Sequence, residues 1–117
     1  MHCRLVTTQA EKTEGATAVL RGAMKRYCAG DERAFDELYS ALAPRVLGYV
    51  RSMLRDEAAA EDVLQLTFVK LHGARGSYLE GADPVPWVYA IAHRTCLDEL
   101  RRRRASWRSE EHTSELQ

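Results

Sequence analysis

Apolar residues recur along this chain at spacings of three and four, and the β-branched alternation that marks strands does not occur. The first series is Ala16, Val19, Leu20, Ala23, Met24 and Tyr27, closed by Ala29-Gly30. Met1 to Thr13 is polar, and residues 1–14 are expected to stay unstructured. Asp31 stands where an N-cap is needed for a second series, Phe35, Leu38, Tyr39, Leu42, Val46, Tyr49, Val50 and Met53. Pro44 interrupts it without changing its phase, which predicts a kink or tight break between nearly collinear pieces and the loss of one bond to the Ser40 carbonyl.

Asp56 is the expected cap of a third helix. Its first turn carries Glu57, Glu61 and Asp62 toward the positive end of the helix dipole, and its inner face reads Ala60, Val63, Leu64, Thr67, Phe68 and Leu71. Residues 73–86 hold three Gly and two Pro, too many breakers for regular structure, so they predict a long loop of the kind that often carries function. Asp83, Pro84 and Pro86 announce the start of a last helix, in which Trp87, Val88, Ile91, Ala92, Thr95 and Leu100 run into Arg101-Arg102-Arg103-Arg104. The pattern predicts an all-α fold, a small helical bundle over residues 15–104 with a long loop before the Arg-rich helix.

Composition narrows the class. The 117 residues, 45% hydrophobic and 29% charged, suit one globular domain. No apolar run approaches the ~18 residues of a membrane helix, and the first residues lack the basic-then-apolar pattern of a signal peptide, so a cytoplasmic protein is expected. Cys3, Cys28 and Cys96 fit neither a disulfide framework nor paired zinc-ligand spacing and are expected as reduced thiols. Seventeen basic and seventeen acidic residues cancel, but they are segregated. Residues 1–30 carry five basic and two acidic groups, residues 31–86 six and ten, and residues 87–107 five and two. An acidic middle therefore precedes a basic end.

The last ten residues, Arg108 to Gln117, read codon by codon as the translated start of a common short-read sequencing adapter. Residues 108–117 are accordingly expected to be a non-native addition, with the start of a linker from residue 105.

With the inner face of the third helix assigned, Glu61, Asp62, Gln65, Leu66 and Val69 fall on its outer face. Acid, amide and exposed aliphatic groups on one stripe suit protein docking, since Leu66 and Val69 gain from burial while Asp62 and Gln65 set orientation; the bland alternative is a solvated face. The last helix joins Trp87 and Tyr89 to His93, Arg94 and Arg101 to Arg104, with Ser77, Tyr78, Leu79 and Glu80 in the loop before it. Cations neutralise phosphates and aromatic rings stack on unpaired bases at ~1–3 kcal/mol each, a pairing suited to DNA being opened. Trp87 is expected in the core rather than on a base, and an Arg run by itself also suits a solvated helix end. An enzyme is not expected: there is no Gly-rich phosphate loop or nucleophile elbow, and His93 and Cys96 lack a second pair to complete a metal site, so neither metal nor cofactor is assigned.

Four ordered blocks, Phe35-Asp-Glu-Leu-Tyr39, Ala60-Glu-Asp-Val-Leu-Gln-Leu-Thr-Phe-Val-Lys-Leu71, Trp87-Val-Tyr-Ala-Ile-Ala92 and Leu97-Asp-Glu-Leu-Arg-Arg102, resemble the second conserved region of bacterial RNA polymerase sigma factors, above all the extracytoplasmic-function (ECF) group. Two positions depart from the pattern: Leu66 stands where the family usually has an acidic residue, and Arg94 where it often has asparagine. The resemblance implies that the third helix grips the clamp coiled coil of the largest subunit of core RNA polymerase through Asp62 and Gln65, with Phe68 as core support. It implies that Ser77, Tyr78, Leu79 and Glu80 capture a flipped base of the single-stranded minus-ten promoter element, while Tyr89, His93, Arg94 and Arg101 face the duplex edge and phosphates. A carboxylate such as Glu80 repels phosphate but accepts a hydrogen bond from a cytosine or adenine amino group. An anti-sigma factor is a further partner the resemblance allows. The alternative reading is a small helical DNA-binding or adaptor protein with non-specific nucleic-acid affinity.

Overall fold

The computed structural model describes the backbone of residues 2–116 and the side chains of residues 15–108. Among the described residues the elements are α1 (His2–Cys28), α2 (Glu32–Leu54), α3 (Glu57–Ala74), a single 3₁₀ turn (Arg75–Ser77) and α4 (Pro84–Leu116). The all-α architecture matches the expectation from the pattern.

Connections between the first three helices are short because single residues serve two purposes. Gly30 adopts φ 105°, its N–H bonds the Tyr27 carbonyl, and the Asp31 N–H reaches the Arg26 carbonyl at 2.9 Å. These two hydrogen bonds around a left-handed residue make a Schellman ending. Asp31 then opens α2, its carboxylate accepting the Arg33 N–H at 3.0 Å. At the other end of α2, Arg55 takes a left-handed φ of 54° and Asp56 caps α3 by accepting the Ala59 N–H at 3.3 Å.

The core is the set of positions the helical period selects. Met24, Leu38, Leu42, Val46, Val50, Leu71 and Val88 are completely enclosed, and α3 buries the six residues assigned to its inner face. Thr67 and Thr95 sit in this core with their hydroxyls donating to the Val63 and Ile91 carbonyls one turn back, both at 2.7 Å. No polar atom is left unsatisfied by burying them.

Four local expectations change. Pro44 does not break the chain into two pieces: α2 runs as one helix through it, and Pro44 lies on the exposed side where water can take the freed Ser40 carbonyl. Residues 73–86 are not one long loop: α3 continues to Ala74, the 3₁₀ turn follows, and α4 starts at Pro84, leaving only Tyr78–Asp83 irregular. Glycine is tolerated in a last helical turn, and proline in a first turn lacks an N–H that has no helical partner anyway. Asp83 supplies the cap, accepting the Val85 N–H at 3.0 Å. Ala16 and Val19, predicted on the inner face of the first helix, are exposed, Val19 at 67%, because contact with the bundle begins only at Leu20. Finally, the backbone of α1 is helical from His2 and that of α4 through Leu116, with no proline in either extension to stop them. The side chains of residues 1–14 and 109–117 lie outside the described residues.

Candidate functional site

Glu61, Asp62, Gln65, Leu66 and Val69 are all exposed on α3, Leu66 at 45% and Val69 at 66%. An apolar groove of about 740 Å³ adjoins this face, floored by Phe35, Tyr39 and Phe68 and bounded by Gln65, Val69 and His72. Tyr39 packs edge-on against Phe68 with ring centroids 4.8 Å apart, and Phe35 meets the same ring at 6.1 Å and 89°. The Tyr27 hydroxyl is hydrogen-bonded to His72 Nδ1, closing the α1 end of the groove. Glu32, Arg33 and Asp36 line its edge from the first turns of α2. Phe35 and Tyr39 read in the sequence as ordinary core positions; their i, i+4 spacing on the flank of α2 was the one signal for a groove.

The loop before α4 is closed on itself. Tyr78 donates its hydroxyl to the Ala82 carbonyl, and its ring tilts against Trp87 at 5.2 Å between centroids. Gly81 takes φ 85° and the Ala82 N–H bonds the Leu79 carbonyl at 3.0 Å, so the intervening residues bulge outward. Leu79 is 76% exposed and Glu80 is exposed beside it. Ser77 turns back to donate to the Ala74 carbonyl at 2.7 Å. Burial pushes the Tyr78 phenol up, and the charge of Arg21 on α1 pulls it partly back.

Along α4 the expected basic face is divided. His93 Nδ1 lies 2.6 Å from the Tyr49 hydroxyl, and Tyr49 meets Tyr89 edge-on at 5.3 Å, so this part of α4 is tied to α2. Arg94 is exposed over a small depression shared with Lys70, Ser77 and Trp87. Arg102 pairs with Glu99 at 2.9 Å, and Arg103 pairs with both Glu99 at 3.3 Å and Asp56 at 3.0 Å. Hydrogen bonds from Arg102 first, and then Arg103, hold the Glu99 carboxyl below the usual glutamate range. Arg101 and Arg104 are exposed and make no ion pair among the described residues.

Cys96 is buried in the core and burial pushes its thiol up, whereas His93 faces solvent one turn earlier. Among the described residues no cluster of three His, Cys, Asp or Glu side chains converges as a metal site, and no helix is long and apolar enough to cross a membrane.

Comparison with known proteins adds a lineage to this geometry. Residues 38–106 match the family model described as Sigma-70 region 2. The chain is 41% identical over 81 residues to the RNA polymerase sigma factor CarQ of Myxococcus xanthus, covering 69% of this chain and 47% of that protein. It is 29% identical over 100 residues to the ECF RNA polymerase sigma factor SigK of Mycobacterium sp. (strain KMS), covering 85% and 52% respectively. With the ECF RNA polymerase sigma factor SigM of Mycobacterium tuberculosis (strain ATCC 25618 / H37Rv) the identity is 33% over 79 residues, 68% of this chain and 40% of that one. The chain spans about half the length of the curated relatives it matches.

Proposed function

Because the chain belongs to the Sigma-70 region 2 family, we propose that it works in the bacterial cytoplasm as the region-two domain of an ECF-type sigma factor. It docks on core RNA polymerase and opens the minus-ten element of promoter DNA. The observation that carries the docking half is the exposed stripe of Asp62, Gln65, Leu66 and Val69 beside an aromatic groove that nothing in the described chain covers. A partner helix laid along α3 gains the burial of Leu66 and Val69 at ~25 cal/mol per Å² of apolar surface, and Asp62 and Gln65 fix its register. Leu66 in place of an acid makes this face more apolar.

The DNA half is stoichiometric binding rather than turnover. Extracting a base from the stack costs a few kcal/mol, which stacking and hydrogen bonds in a receiving site must offset. Leu79 and Glu80 project where a displaced base arrives first, and Glu80 accepts from an exocyclic amino group. Tyr78 becomes available for stacking once it leaves the Ala82 carbonyl and the Trp87 face. Tyr89, His93, Arg94, Arg101 and Arg104 provide the neighbouring cationic and aromatic surface for the duplex edge.

The test is co-purification. Asp62→Ala with Gln65→Ala, and separately Val69→Glu, should abolish retention of the chain by core RNA polymerase while leaving its thermal melt unchanged. Retention at the wild-type level by all three substitutions would leave a general DNA-binding protein as the better reading.

A further inference from the structure

On α4 the guanidinium of Arg94 is left free while the acids near it are taken. Asp98, four residues on and the partner its spacing offers along the helix, turns instead to α3, where Lys70 places Nζ 3.6 Å from its Oδ2. Glu99 is held by Arg102 and Arg103. Arg94 itself is exposed and makes no ion pair or side-chain hydrogen bond among the described residues. The bundle draws no support from this cation.

The depression beneath Arg94, about 350 Å³ between α3 and α4, has an apolar wall of Trp87 and Ile91, both half-buried. Ala90, exposed one turn before Arg94, adds no bulk to its rim. Lys70 is already neutralised by Asp98, and the hydroxyls of Ser77 and Thr95 donate to the Ala74 and Ile91 carbonyls. Among the described residues lining the depression, Arg94 is therefore the one cation without a partner. A phosphate track needs several cations in succession, as Arg101 and Arg104 supply two turns and more along the helix. A single planar fork beside an apolar wall suits instead the flat, polar edge of a base.

We propose that Arg94 selects guanine at one position of the promoter, its guanidinium donating two hydrogen bonds to O6 and N7. The inference rests on the function given above and names the base that this part of α4 takes. The fork matches the two acceptors on the major-groove edge of guanine, whereas adenine sets an amino donor beside its N7, against an arginine that can only donate. The amide of asparagine, often found at this position in the family, carries one acceptor and one donor and suits adenine. The change of residue therefore changes the base. Ala90 lets the helix come close enough for the fork to reach a base edge, and Trp87 and Ile91 shield the pair from water. Arg94 stands ten residues after Pro84, roughly 15 Å along the axis at 1.5 Å per residue, so the base it reads is distinct from the one that Leu79 and Glu80 receive.

The experiment uses the full chain bound to core RNA polymerase and selects bound DNA from promoters randomised across the minus-ten element and its upstream edge. Sequencing should show guanine favoured over adenine at one position by roughly 5- to 150-fold, the discrimination of one bidentate pair. Arg94→Asn should transfer the preference at that position to adenine and leave the thermal melt unchanged. Arg101→Gln with Arg104→Gln should weaken binding of every sequence alike and keep the guanine. With the wild-type chain, 7-deazaguanine at the selected position lacks the N7 acceptor and should lose most of the preference. Hypoxanthine, which keeps O6 and N7, should retain it. Three results overturn the contact and leave the sigma-factor reading standing: a guanine preference that survives in Arg94→Asn, a loss in that variant spread evenly over all bases, or equal binding of guanine and 7-deazaguanine. Failure to bind core polymerase overturns both.

Discussion

Arg103 on α4 places Nη2 3.0 Å from Oδ2 of Asp56, 47 positions earlier, while the other carboxylate oxygen of Asp56 accepts the Ala59 N–H at the start of α3. One side chain thus caps a helix and receives an ion pair from the helix packed against it. The two roles are separable. Asp56→Asn keeps a capping oxygen and loses the charge, whereas Asp56→Ala loses both. The pair is half-exposed and worth little alone, so Asp56→Asn should lower Tm slightly, and Arg103→Ala, which also gives up its pair with Glu99, should lower it somewhat more. Asp56→Ala should lower it clearly more; thermal melts of the three variants check the order.

Glu99 gives the fold a defined acid sensitivity. Its folded-state pKa is depressed, by Arg102 first and Arg103 second, so the stability it contributes is present above the ordinary glutamate range near ~4.3 and is lost as pH falls through the lower folded value. Asp56 is depressed as well, by the Ala59 N–H first and then by Arg103, and acts in the same direction. The difference in Tm between the wild type and Glu99→Gln should be constant from about pH 6 to 8 and should shrink below about pH 4. Melts across that range in buffers of equal ionic strength measure it.

These ties also mark what the sequence could reveal. The division of α3 into Val63, Leu64, Thr67, Phe68 and Leu71 inside and Asp62, Gln65, Leu66 and Val69 outside follows from a period of 3.6 residues, and the structure reproduces it. The aromatic groove was not legible, because whether Phe35 and Tyr39 close over Phe68 or leave it open depends on how α2 is rotated against α3. The Arg run looked uniform because the partners of Arg103 include a residue on another helix. The extent of the loop is not legible because Gly73 and Pro86 break helices only in their interiors, and each sits near a helix end.

Tyr78 separates latch from stacking surface. Tyr78→Phe removes the bond to the Ala82 carbonyl but keeps the ring against Trp87. A hydroxyl-to-carbonyl bond in a partly wet loop contributes ~0.5–1 kcal/mol, so Tm should fall by no more than a few degrees. Open-complex formation should persist in Tyr78→Phe and fall in Tyr78→Ala, with closed-duplex binding of both near wild type. Permanganate reactivity of promoter thymines, alongside duplex binding, reads the two steps apart; equal losses of both in Tyr78→Ala would argue against base stacking by this ring.

The four consecutive arginines should not contribute equally to DNA binding. Arg102 and Arg103 already neutralise Glu99 and Asp56, and leaving them for phosphate would uncover those carboxylates beside the DNA. Arg101 and Arg104 are exposed without such partners among the described residues. Each phosphate contact on duplex contributes ~0.9 to the slope of log K against log salt. Arg101→Gln with Arg104→Gln should therefore flatten the slope of holoenzyme binding to duplex promoter DNA by about 1.8, two contacts at ~0.9 each, with Tm unchanged. Arg102→Gln with Arg103→Gln should change the slope by less than one contact and lower Tm instead, because it releases Glu99 and Asp56. Binding titrations from low to moderate potassium chloride, paired with melts, distinguish the two pairs; equal slopes for both double variants would show that the ion pairs exchange freely with phosphate.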